Sequence, residues 1–447
     1  MNILLTDKCS NNCPYCFAKE KLEEDSRLNQ MPLENYRKVL DFLKKSRNRS
    51  VKLLGGEPML HSDIREIINM TLEDNDFESV VVFSGGIFDK SLVHLLTNEK
   101  IHVVLNTNHP SDYEEGKWEI FMKNLDYMIS LGVDVTPGYN IYKTDFEYDF
   151  ILELLEYYKL KNLRWTVAVP MHSYENRHVP FDDYRKMGKR ITEFLLKFAD
   201  MGVESRLDCF LPLCTFNDAD YGKLIKTFPS MAKGGFCRPA IDVGPDLTVW
   251  RCFAISSYEN VSLENFANLK ELTGFFMSSF DHYKWHIWPE QCEKCKYRLS
   301  RICQSSCLAF KVKEIKKFVE EEKSAMSVLA EAKELFDKND IVSASVKYKE
   351  GMTLAPKSIK IKADSSFFYI KTGDFLTAGK LLDEIEKEYP DYSIIPIYRG
   401  IISEEEKDYP AAIRNYRKAL RLCPKENDLK ERIKKVRSLQ ILKMGFI

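Results

Sequence analysis

Twelve cysteines in three unequal groups constrain this chain of 447 residues more than any other feature. Cys9, Cys13 and Cys16 crowd the amino terminus, eight more lie between Cys209 and Cys307, and Cys423 stands alone near the end. Disulfides in such number belong to exported proteins, yet the opening Met1-Asn2-Ile3-Leu4-Leu5-Thr6-Asp7-Lys8 lacks the charged and apolar regions of an export signal. The expected setting is therefore cytoplasmic, where thiols stay reduced and clustered cysteines serve as metal ligands or catalysts. No run of eighteen apolar residues occurs, so neither a transmembrane helix nor a membrane partner is expected. Lysine and arginine number 66 against 67 acidic residues, a formal charge of −1 that offers no field for nucleic acid or an anionic bilayer. With 44% hydrophobic and 12% aromatic residues the chain can sustain packed cores, and its length suits about three domains.

The cysteine-free interval from 17 to 208 alternates between two periodicities. Val51-Lys52-Leu53-Leu54, Ser79 to Phe83, Ile101 to Leu105 and Leu163 to Val169 are short apolar runs of strand type. Residues 32–46, 62–73 and 147–159 repeat their apolar positions at helical spacing. Strands alternating with helices predict βαβ units and a parallel sheet, open or closed into a barrel.

The last zone repeats itself. Asp340, Asp374 and Asp408 are spaced by 34 residues, and so are Ala344, Ala378 and Ala412, and Pro356, Pro390 and Pro424. Tyr348, Leu382 and Tyr416 follow each alanine by four positions, as packing of two helices through a small residue requires. Proline closes each second helix because it cannot continue one. This unit resembles the tetratricopeptide repeat over about residues 324–428, and 429–443 reads as an amphipathic capping helix.

At the amino terminus Cys9-x3-Cys13-Pro14-Tyr15-Cys16 follows a strand-like run, Asn2 to Thr6, and is followed by Leu54-Gly55-Gly56-Glu57-Pro58. In this combination the chain resembles the radical S-adenosylmethionine (SAM) superfamily over roughly residues 1–205. The resemblance implies an α/β fold, a partial (β/α)6 barrel with the site at the carboxyl-terminal face of the strands. It also implies that Cys9, Cys13 and Cys16 hold a [4Fe-4S] cluster whose open iron chelates SAM. One electron then cleaves the sulfonium and releases a 5′-deoxyadenosyl radical that abstracts a substrate hydrogen. Tyr15, Gly55, Gly56, Glu57, Pro58, Ser84 and Asn106 would line the SAM site. Gly55 and Gly56 would let the backbone approach the ligand, and Glu57 would accept from its amino group. Ser84-Gly85-Gly86 and Asn106 would meet the ribose and carboxylate.

Cys209, Cys214, Cys237, Cys252, Cys292, Cys295, Cys303 and Cys307 make two sets of four, and four thiolates saturate one cluster or one zinc ion. Cys292-x2-Cys295-x7-Cys303-x3-Cys307, preceded by Cys237 and Cys252, resembles the SPASM extension of radical SAM maturases, which implies one or two auxiliary [4Fe-4S] clusters. Here seven residues rather than five precede Cys303, and Leu247 stands where that extension has glycine. Either Cys209 or Cys214 would join Cys237, Cys252 and Cys307. Structural zinc at Cys292, Cys295, Cys303 and Cys307 is the competing assignment.

Three domains are thus expected: a radical SAM barrel over 1–205, an auxiliary-cluster domain over 206–320, and a repeat domain with its capping helix over 321–447. The reading these features favour is a maturase acting on a peptide or protein, supplied by an electron donor such as ferredoxin or flavodoxin. The alternatives are a small-molecule enzyme whose repeats drive oligomerisation and a non-catalytic metal-stabilised scaffold.

Overall fold

The structure is a computed structural model that describes residues 1–23, 28–228, 237–279, 281–284, 287–390, 392–422 and 427–443. Cys423 and Pro424 of the repeat pattern lie outside these residues. The chain forms two compact units, Met1–Glu314 and Ile315–Ile447.

The first unit is built on one sheet of ten strands: β1 (Asn2–Leu4), β2 (Ser50–Leu54), β3 (Ser79–Ser84), β4 (Ile101–Asn106), β5 (Asp134–Ile141), β6 (Asn162–Val167), β7 (Glu204–Leu207), β8 (Asp242–Val243), β9 (Thr248–Trp250) and β10 (Asn260–Ser262). Their order is β10-β9-β8-β1-β2-β3-β4-β5-β6-β7, with β1 to β7 all parallel to their neighbours. Helices Leu33–Lys45, Ile64–Glu73, Lys117–Ser130, Asp149–Tyr157 and Tyr184–Asp200 form five of the crossovers, and a 3-10 helix, Lys90–Leu96, forms the one after β3. This is the expected α/β architecture, open at β7 and β10.

Alternation along the strands sorts the two faces. Val51, Leu53, Val80, Val82, Val103 and Leu105 point into the helix-covered core, which also takes Tyr36, Leu43, Ile67 and Phe121. The opposite face carries Lys52, Phe83, Asn106, Asn140 and Arg164, which stay only partly buried. A helix-covered parallel sheet buries one strand face completely, so the polar residues collect on the other, where a site can form.

The boundary expected at 205/206 does not separate compact units, because β8 pairs with β1 and carries the hairpin of β9 and β10 onto the same sheet. Backbone hydrogen bonding between Asn2–Ile3 and Asp242–Val243 welds the cysteine-rich segment to the first strand. Leu247, at the glycine position noted above, takes a left-handed φ of 65°. The side chain is buried in the core at 4% exposure, and that burial offsets the cost of a conformation glycine would adopt freely.

The second unit is a run of antiparallel helix pairs. Helices Ile359–Lys371 and Phe375–Glu388 form one pair, Ile394–Glu405 and Tyr409–Leu422 the next, and Ile341–Leu354 precedes them while Asn427–Lys443 follows. The 34-residue spacing has a backbone cause. Asn339, Gly373 and Lys407 all adopt left-handed φ values of 64°, 81° and 62°. The aspartate after each caps the next helix, Asp340 accepting from Ser343 N at 3.1 Å, Asp374 from Thr377 N at 3.0 Å and Asp408 from Ala411 N at 3.0 Å. Ala344, Ala378 and Ala412 are fully buried, as the small-residue contact requires. Tyr416 lies so close to Gly400 that a Cβ there would come within 2.4 Å of its ring.

Candidate active site and cysteine clusters

The amino-terminal cysteines sit in the loop that leaves β1, beside the ends of β2 to β5. Cys13 and Cys16 close a turn through Cys16 N to Cys13 O at 3.1 Å. The Cys13 sulfur accepts from the Asn108 amide at 3.3 Å and more distantly from Asn106 at 3.9 Å, and Cys9 accepts from Asn11 N at 3.4 Å. Burial pushes the Cys9 and Cys13 thiols up to about 11 and raises Cys16 as well. Iron would replace those protons, and the amide donors would then meet anionic sulfur.

Tyr15 is 5% exposed and organises the loop. Asn106 and Asn140 donate to its hydroxyl at 2.8 and 3.2 Å, the hydroxyl donates to Asn108, and its ring stacks on Tyr142 at 5.6 Å. Asn176 completes the anchorage by donating to Tyr15 O and Val169 O, both at 3.0 Å. Asn108, Asn140 and Asn176 were not singled out from the sequence. Polar side chains at the ends of apolar strands β4 and β5 are the signal that marks the first two.

Gly55 and Gly56 serve the protein's own chain and not only a ligand. A Cβ on Gly55 would lie 2.7 Å from Thr6 O, and one on Gly56 would lie 2.4 Å from Lys8 O. Gly56 N and Glu57 N donate to Thr6 O and Lys8 O at 2.8 and 2.7 Å, so these glycines seat the strand that launches the cysteine loop. Pro58 opens the short 3-10 turn that follows, with Glu57 as its cap.

Glu57 is 2% exposed, and its carboxylate accepts from Gly85 N at 2.7 Å, Ser84 Oγ at 3.0 Å and Met59 N at 3.2 Å. It thereby ties Ser84 and the β3 turn to the Gly-Gly-Glu-Pro segment, and a ligand amine would share a carboxylate already engaged. Burial outweighs those donors and lifts Glu57 to about 7. The folded chain therefore binds this proton more tightly than the unfolded chain, whose value is near 4.5, and stability falls as pH rises from about 4.5 through 7. In urea titrations of the cluster-free chain, Glu57→Gln is expected to lack this loss, so its stability relative to wild type rises by roughly 3 kcal/mol across that window. Parallel curves would refute the assignment.

The eight middle cysteines separate into two groups by mutual electrostatic influence. Cys209 feels Cys307, Cys252 and Cys237, while Cys292 feels Cys214, Cys295 and Cys303. Cys214 in turn feels Cys303 and Cys295, and Cys252 feels Cys237 and Cys307. Desolvation is the leading cause of the upward shift at Cys209, Cys214, Cys252, Cys292, Cys303 and Cys307, reaching about 11 at Cys214 and Cys307 and about 12 at Cys292. Cys209 therefore falls with Cys237, Cys252 and Cys307, and Cys214 with the carboxyl-terminal three. Arg251, 2% exposed, directs both terminal nitrogens at the Cys237 sulfur at 3.4 Å. Two groups of four thiols with a buried guanidinium against one sulfur fit clusters in which each thiolate holds a different iron. Among the described residues no three His, Cys, Asp or Glu side chains are gathered as a metal-ion site.

Asp208, beside Cys209, is paired with the Arg164 guanidinium. Of the aromatic segment 282–288, Trp285 and His286 lie outside the described residues, Tyr283 is buried and Trp288 is covered by Arg298 at 4.0 Å.

The three-cysteine loop thus lies at the carboxyl-terminal end of an open parallel sheet, the face on which α/β enzymes build their sites. Residues 3–177 match the radical SAM superfamily, so the chain carries a radical SAM domain. That domain marks the chain as an enzyme, and the superfamily it matches uses a [4Fe-4S] cluster with SAM. Relatives include a probable GTP 3′,8-cyclase of Methanococcus maripaludis, 26% identical over 29% of this chain and 45% of that one, and a GTP 3′,8-cyclase of Limosilactobacillus fermentum, 28% identical over 26% and 36%. The chain spans about half the length of such curated relatives, or less. Native anSMEcpe with bound AdoMet shares the fold at a TM-score of 0.51 and 18% identity, over 69% of this chain and 89% of that one. Streptococcus suis SuiB bound to S-adenosylmethionine aligns at 0.49 and 14%, over 70% and 73%. No helix among the described residues is long and apolar enough to cross a membrane.

Proposed function

We propose that this chain is a radical SAM maturase with two auxiliary clusters, acting on a peptide or protein substrate to form a crosslink or thioether or to oxidise a side chain. Cys9, Cys13 and Cys16 hold the first cluster, with Tyr15, Gly55, Gly56, Glu57, Pro58, Ser84 and Asn106 around the SAM site. Cys209, Cys237, Cys252 and Cys307 hold one auxiliary cluster, and Cys214, Cys292, Cys295 and Cys303 the other, in the manner of a SPASM extension. The observation that carries this reading is the division of eight cysteines into two complete quartets, with Cys209 and Cys214 filling one place in each.

When bound, the cluster and SAM supply the hydrogen-abstracting 5′-deoxyadenosyl radical. The chain's own residues position and desolvate: Asn106 and Asn108 donate toward Cys13, Tyr15 and Asn140 brace the loop, and Glu57 holds the β3 turn against it. An external one-electron donor such as a ferredoxin or flavodoxin completes the system, in a reducing, cytoplasmic setting.

The peptide substrate is supported by the repeat unit, which we read as tetratricopeptide repeats. Within that unit a groove of about 440 Å³ is lined by Phe375, Leu376, Arg399, Ile402, Glu406 and Asn415, mixing apolar area with both charges as extended peptides require. Val342 and Leu376, at equivalent repeat positions, are 78% and 71% exposed. A small-molecule substrate is favoured instead by the GTP 3′,8-cyclase relatives. Anaerobic reconstitution with dithionite and SAM, with 5′-deoxyadenosine as the readout, tests the chemistry. Truncation after Glu314 is expected to leave that product while peptide modification, read by mass change, collapses. Unchanged turnover of a nucleotide by the truncated chain would sink the peptide reading.

A further inference from the structure

Lys311 is among the largest fully buried side chains of the protein, at 1% exposure. Its ammonium donates to Ser305 Oγ at 2.8 Å, Gln304 O at 3.0 Å and Lys284 O at 3.3 Å, all neutral oxygens. Burying an ammonium without a counter-charge is unfavourable, so the charge needs a partner that these oxygens do not supply. Once metal displaces their protons, the thiolates that would act on it are Cys292 and Cys303 from one quartet and Cys307 and Cys237 from the other. Arg251 contacts Cys237 and also acts on Cys252 and Cys307, all of one quartet.

We propose that Lys311 is a positioning residue shared by the two cysteine quartets, whose buried positive charge raises the reduction potentials of both auxiliary clusters. The inference rests on the auxiliary-cluster reading above. A cluster gains one negative charge on reduction, and a fixed cation nearby favours that state, net charge being one of the levers that set such potentials. Burial makes the lever long, because water does not screen it. The same side chain also staples backbone. Gln304 accepts from Cys237 N at 3.1 Å, and Lys284 donates to Cys237 O, so Lys311 draws together the segments that carry Cys303, Cys307 and Cys237.

Charge and stapling separate by substitution. In the full chain carrying Cys9→Ala/Cys13→Ala/Cys16→Ala, residual iron belongs to the auxiliary sites alone. Iron content and midpoint potentials, read by electron paramagnetic resonance during dithionite titration, are compared for Lys311, Lys311→Gln and Lys311→Arg. Each cluster takes one electron from dithionite, and no other bond changes. Glutamine keeps amide donors for the carbonyls and removes the charge, so the expected result is retained iron with both midpoint potentials shifted downward. Arginine keeps the charge and is expected to keep the potentials near those of lysine. Unmoved potentials in Lys311→Gln with iron retained, or a shift at one site only, overturn the shared role. Iron lost from Lys311→Gln and retained in Lys311→Arg supports the charge, whereas iron lost from both makes Lys311 a staple and overturns the proposal. A parent without residual iron removes the auxiliary clusters, and this inference falls with them.

Discussion

Replacing Cys9, Cys13 and Cys16 together by alanine is expected to remove about four iron atoms per chain. Formation of 5′-deoxyadenosine should fall by roughly three orders of magnitude or more, the scale of losing a group the chemistry requires. The reason lies in the loop's construction. Burial keeps Cys9 and Cys13 protonated up to about 11, so bare thiols there are poor ligands until iron displaces the proton. Loading therefore releases protons and becomes easier as pH rises. No other described cysteine lies in the loop between β1 and β2 to take over. The eight middle cysteines are left intact, so under the two-quartet proposal about eight iron atoms should persist as an internal control. Anaerobic reconstitution, iron analysis and chromatography of SAM products decide the matter, and activity within tenfold of wild type would move the SAM cluster elsewhere.

The second large effect comes from a residue with no chemistry of its own. Gly188 lies in the helix Tyr184–Asp200, where it faces the 3-10 turn Leu213–Thr215 that carries Cys214. A Cβ at this position would sit 1.8 Å from Thr215 O and 2.9 Å from Thr215 C. Those atoms are backbone in a buried turn, with Thr215 at 1% exposure, and they cannot rotate aside as a side-chain tip would. Gly188→Ala is thus expected to push the turn off the helix, costing about 3 kcal/mol. Cys214 should then leave its quartet, with loss of about four auxiliary iron atoms. Denaturation midpoints and iron content read the two effects, and Gly222→Ala is the control, since its Cβ would meet nothing within 4 Å. Full iron in Gly188→Ala would show that Cys214 holds no metal.

Local elements were legible where one periodicity ruled a whole segment. The helix expected over 32–46 is Leu33–Lys45, that over 62–73 is Ile64–Glu73, and the strand expected at Ser79 to Phe83 is Ser79–Ser84. These segments bury one face each, so their apolar spacing is their structure written out. The crossover after β3 is a 3-10 helix, and its short Lys90–Leu96 run has too little periodicity to announce a helix type. The aspartates spaced by 34 residues were visible as a repeat, but their work as helix caps after a left-handed residue appears only in backbone angles.

The site divides in the same way. Covalent spacing alone puts Cys9, Cys13 and Cys16 around one small volume, because three and two intervening residues cannot separate them far. The sorting of the eight middle cysteines depends on electrostatic influence between residues up to 98 positions apart, such as Cys209 and Cys307, for which spacing holds no information. Gly55 and Gly56 could be seen as glycines demanding close approach, while the identity of the approaching group, the Thr6–Lys8 backbone, required the β1–β2 pairing.

By itself, then, the sequence determined the class of fold, the three-cysteine loop and the 34-residue period, since each rests on residues near one another along the chain. Tertiary structure alone decided which of the middle thiols act on one another, that β8 joins the cysteine-rich segment to β1, and that buried Lys311 ties the segments carrying Cys303, Cys307 and Cys237. Burial, electrostatic partners and backbone clashes are set by chain segments that meet only on folding.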